Sequence, residues 1–119
     1  MKAILIDPKK KEITEVTIER GLKALYDTIG CSMVEAPIQY PNGDVMYCDE
    51  EAWLNYEETM CGFIFPDWAY AILGKALIVG TTAGGNDRDC KSKVSDFSDI
   101  KWKTETQMYI QGLKMGVIG

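Results

Sequence analysis

The turn Pro41-Asn42-Gly43 limits this chain more than any other short stretch, because it lies between two β-like runs, Met33 to Tyr40 and Asp44 to Cys48. Asn-Gly tolerates the positive φ that a tight hairpin turn demands, and such a turn matches the twist of its flanking strands. A hairpin over residues 33–48 follows. A second, over 2–18, is read from the high β-propensity of Lys2 to Asp7 and Glu12 to Ile18 around Pro8-Lys-Lys-Lys11. Leu22, Leu25, Tyr26 and Ile29 recur at three- and four-residue spacing before Gly30, which predicts one main helix over 19–29. Ile72 to Val79 is nearly continuous in apolar residues and predicts a central strand over 72–79. Met60 to Phe65 reads as a short strand ended by Pro66. Asp49 to Trp53 reads as the first turn of a short helix capped by Asp49, and Val94, Phe97 and Ile100 suggest another. Alternation from Lys101 to Met108 predicts a strand, and Tyr109 to Gly119 shows no period and reads as a frayed or docking tail. The expected fold is α+β, a single small domain with a mainly antiparallel sheet of about five to six strands.

At 119 residues and 46% apolar content, the chain suits one domain over 1–119 with its own core. No apolar run approaches the roughly 20 residues of a membrane span. Too few apolar residues precede Asp7 and Pro8 for a secretory signal, so a cytoplasmic location is expected. Cys31, Cys48, Cys61 and Cys90 form no Cys-x-x-Cys pair and histidine is absent, which removes the usual zinc spacings and any Ser-His or Cys-His nucleophile system. Neither a metal nor a cofactor is expected, and no catalytic residue is assigned. Cys90, beside Arg88, Lys91 and Lys93, is the one thiol with cations close in sequence.

Charge is unevenly placed. Residues 24–74 hold nine acids and no base, giving −9 against a net −5 for the chain, so the flanks carry +4. Duplex DNA binding through a basic face is disfavoured on that distribution. Glu50, Glu51, Glu57 and Glu58, within the acidic region 27–67, either solvate the surface or form a face for a basic partner.

The loop after the predicted central strand has neither the Lys of a Walker phosphate loop nor the Gly-x-Gly-x-x-Gly of a dinucleotide site. Its plain reading is a turn at Gly84-Gly85-Asn86-Asp87. The alternative is an anion site made of the Thr81 and Thr82 hydroxyls, amides at Gly84 and Gly85, the Asn86 side chain, Arg88 and Lys91. Trp68 and Tyr70 are the aromatics that would stack a base beside it, or else fill the core.

MKAILIDPKKKEITEV, LKALYDTIG, PNGDVMYCDEEA and LGKALIVGT, taken in order, resemble a small uncharacterised domain family encoded by phages and mobile elements, over residues 1–93, with 94–119 as a C-terminal extension. The resemblance implies a viral or mobile-element context and brings no catalytic motif. The expected function is a non-catalytic accessory protein that acts in the host cytoplasm, capturing a nucleotide-like signalling molecule to counter host defence, as a homo-oligomer that completes the pocket. The alternative is a protein-binding inhibitor of a host defence enzyme that uses the acidic surface; a small nucleotide hydrolase is the third reading.

Overall fold

The computed structural model describes residues 1–118 as four stacked layers. The largest layer is a six-stranded antiparallel sheet. Its strands β1 (Lys2–Asp7) and β2 (Glu12–Thr17) form one hairpin, and β3 (Val34–Gln39) and β4 (Asp44–Asp49) form the other. Strand β7 (Ala76–Thr81) lies between β1 and β4, and β8 (Asp87–Arg88) adds to the end of β7. A second sheet is made of β6 (Ile72–Leu73), β5 (Gly62–Ile64) and β9 (Lys101–Lys103), in that order.

Side chains alternate across these strands and thereby sort the core into three parts. Ala3, Leu77 and Val79 point to one face of the large sheet, where helix α1 (Leu22–Ile29) covers them with Leu25 and Ile29. Ile4, Ile6, Met46, Ala76 and Ile78 point to the other face and meet Phe63 of the small sheet and Phe97 of the 3₁₀ turn Val94–Phe97. The far side of the small sheet packs Leu73 against Met108 of helix α2 (Glu105–Met115), with Ala52 and Ala71. An added Cβ at Gly62 would strike the Ile72 carbonyl and the Met108 thioether, so only glycine lets α2 approach β5 this closely.

The hairpins, the main helix and the antiparallel α+β class agree with expectation. Five local assignments do not. The stretch 72–79 is two strands in different sheets: Gly74, at φ 85°, breaks the run so that Ile72 and Leu73 pair with β5 while Ala76 onwards enters the large sheet. Asp49 to Trp53 is a series of turns rather than a helix, because β4 runs through Asp49; its carboxylate still accepts the Glu51 amide at 2.8 Å in a cap-like bond. The predicted strand 101–108 stops at Lys103. Thr104 then starts α2 through a reciprocal capping box, its hydroxyl accepting the Gln107 amide while Gln107 Oε1 accepts the Thr104 amide. The segment from Tyr109 is therefore helical as far as Met115, ended by Gly116 in the left-handed region, and the loop 81–92 contains β8.

Met108 is fully buried between α2 and the small sheet. Met108→Ala is expected to lower the unfolding free energy by about 2–5 kcal/mol, read from urea denaturation, with a single transition showing that α2 unfolds with the rest.

Candidate functional site

The proposed anion loop is built around a carboxylate. Asp44 is wholly buried at the start of β4, and its oxygens accept the Ser92 hydroxyl and amide, the Lys91 amide at 3.1 Å and the Asn42 side chain at 3.3 Å. Arg88 reaches the same carboxylate at 3.4 Å and donates to the carbonyls of Asn42 at 2.8 Å and Asp89 at 2.6 Å. Gly80 makes room for this: a Cβ there would collide with the Arg88 guanidinium and the Asp89 carbonyl. Burial alone would disfavour the Asp44 anion, but the donors from Ser92, Lys91 and Arg88 outweigh it and hold the carboxyl below its usual range.

The remaining groups of the loop are largely engaged with one another. The Thr81 hydroxyl donates to the Gly43 carbonyl, and the Thr82 and Gly85 amides close the turn on Asn86 and Thr82. The Thr82 hydroxyl accepts the Asn86 amide at 3.1 Å. Gly85, at the exposed tip with φ 84°, has open space around it, and the Lys91 side chain points to solvent. Trp68 packs edge-on against Phe65, with centroids 5.0 Å apart, while Tyr70 stands beside α2 in a hollow shared with Lys103, Gln107 and Lys114. Cys90 is buried, and burial together with Asp44 pushes its thiol up, which disfavours the nucleophilic thiolate.

The acidic region divides. Glu57 joins Asp27 and Asp49 around an open groove of about 750 Å³ between the end of α1 and the connection from β4 to β5. Tyr26, Ser32, Asn55 and Met60 add to its wall, and Glu51 lies at its margin, 3.5 Å from the Ser32 hydroxyl. Glu50 is exposed on the turn after β4, and Glu58 faces the other way, toward Glu105 and Tyr109 of α2. The carbonyl end of α1 opens onto the groove at Gly30 and Cys31, and no basic residue occupies its last turn. The negative end of the helix dipole thus adds to three carboxylates. Lys23 pairs with Asp27 at 2.7 Å, an exposed pair worth little in water.

A family model described as a domain of unknown function, DUF3846, matches residues 1–100, from β1 through the 3₁₀ turn. The chain belongs to this family. No curated protein and no solved structure matches it. Among the described residues of this DUF3846 domain, no group of three or more Cys, Asp and Glu side chains is placed to hold a metal ion, and no helix is long and apolar enough to cross a membrane.

Nothing local in the sequence marks Asp44 as the partner of Arg88, 44 residues away. Asp44→Asn should cost about 3 kcal/mol at neutral pH, since it leaves a partly buried cation and two amide donors poorly paired. The folded carboxyl lies below its unfolded value, so its contribution is present above the ordinary carboxylate pKa and is lost as pH falls through the folded value. Urea titrations at falling pH should therefore show the gap between wild type and variant closing in acid.

The groove has its own reporter in the half-buried Cys31, whose thiol is raised by burial first and then by Asp49 and Glu51. Asp49→Asn should move the Cys31 titration down, seen as faster alkylation at a fixed alkaline pH.

Proposed function

We propose that this DUF3846 domain is a non-catalytic binding module that takes an Arg- and Lys-bearing segment of a partner protein into the groove between α1 and the connection from β4 to β5. The observation that carries this reading is the groove itself: Asp27, Asp49 and Glu57 surround a helix carbonyl end, with no basic residue in the wall. Tyr26 offers an aromatic face on which a guanidinium stacks. In the mobile-element setting that the resemblance implies, the partner is a basic surface of a host defence protein in the cytoplasm, and docking blocks it. Capture of a nucleotide-like molecule by residues 81–91 has less behind it, because Arg88 is tied to Asp44 and the turn bonds to itself.

Fluorescence anisotropy with a labelled peptide of mixed Arg and Lys tests the reading, with a panel of linear and cyclic nucleotides run beside it. Wild type should bind the peptide and release it as salt rises. The combination Asp27→Asn, Asp49→Asn and Glu57→Gln should weaken binding at least about tenfold, at roughly 0.5–1 kcal/mol for each charge pair. Glu58→Gln, outside the groove, should leave it unchanged. Equal loss in both proteins, or binding of a nucleotide but not the peptide, overturns the proposal.

A further inference from the structure

Helix α2 buries Met108 and Gly112 against the small sheet and the Trp53 ring, and leaves its opposite side uncovered. At 3.6 residues per turn, Thr106, Ile110 and Leu113 form one stripe directed away from the protein. Ile110 and Leu113 are each 45% exposed, and Tyr109 beside them 41%. Apolar side chains held out on a regular helix face in this way mark a docking surface.

The two flanks of the stripe carry opposite charge. Glu105 and Glu58 line a hollow on one side with Tyr109, and Lys103 and Lys114 line a hollow on the other with Gln107. A partner of single sign, such as an anionic membrane or a uniformly basic protein, would be repelled along one flank. A second copy of this chain would not be. A twofold axis running along α2 sets the acidic flank of each copy against the basic flank of the other, with Glu105 opposite Lys103. A twofold across the helix would set like against like.

We infer that the Thr106–Ile110–Leu113 stripe is the contact of a parallel, twofold-symmetric homodimer. The surface is separate from the acidic groove, so each copy presents its groove independently. Eleven residues of helix make a short contact of about 16 Å, so the dimer is weak and depends on concentration.

Sedimentation velocity from roughly micromolar to roughly millimolar protein is the direct test. Wild type should pass from monomer to dimer across that range. Leu113→Glu, with an unchanged far-ultraviolet circular dichroism spectrum, should weaken association at least about thirtyfold, and Ile110→Gln, a milder change on the same stripe, should weaken it less. Glu105→Lys and Lys103→Glu should each weaken the dimer and together, in one chain, restore it. Asp27→Asn in the groove should leave it unaltered. A monomer at every concentration, a Leu113→Glu chain that associates as wild type does, or a double swap as weak as its components would each overturn the inference.

Discussion

Strand β7 is buried on both faces and paired along both edges with β1 and β4, neither of which adjoins it in sequence. The two hairpins are local structures that form around their own turns, but each exposes one edge and two partly apolar faces until β7 enters between them. Its alternating Ala76, Ile78 and Leu77, Val79 then belong to both large core clusters at once. Everything outside the hairpins is positioned relative to this strand: α1 on one face, the small sheet on the other, and β8 at its end. The Asp44 network completes the arrangement where β4, β7 and the returning loop meet. A buried carboxylate there is tolerable because hydrogen-bond donors converge on it, and it ties together segments far apart in the chain.

That network also engages part of what gives the loop its anion-binding composition. Arg88 is directed inward, to a carboxylate supplied by the protein itself, and the Thr82 and Gly85 amides close their own turn. Charge available to a partner lies elsewhere, on the groove beside α1, where Asp27, Asp49 and Glu57 come from three different segments. Their grouping depends on β4 bringing Asp49 alongside the helix end, which no spacing in the chain could show.

Local signals were reliable where a single turn or cap decides the outcome. Asn42-Gly43 and the 19–29 periodicity placed a hairpin and a helix that the structure contains. The misreadings arose where tertiary packing splits a uniform pattern. From Ile72 to Val79 the apolar run looks like one strand, yet Gly74 passes it from one sheet to the other. From Lys101 to Met108 the alternation continues smoothly across a strand end and a helix start. Thr104 and Gln107 carry the helix-start signal in their three-residue spacing, which the alternation masks. The burial of Met108 and Gly112 on one side of α2 was equally present in the sequence as an i, i+4 pair.

The acidic groove and the α2 stripe differ in physical character, and that difference bears on how the molecule works. Electrostatic attraction at an open groove is long-ranged and salt-dependent, suited to rapid encounter with a basic surface. Packing along a helix stripe is short-ranged and little affected by salt, with flanking charges that fix orientation more than strength. Doubling the chain through α2 would present two grooves on one assembly. A target with two basic segments, or a target that is itself a dimer, would then be held by both at once, and the second contact would form at the high effective concentration set by the first. Under the proposed pairing, two weak grooves would together hold such a target longer than either groove alone.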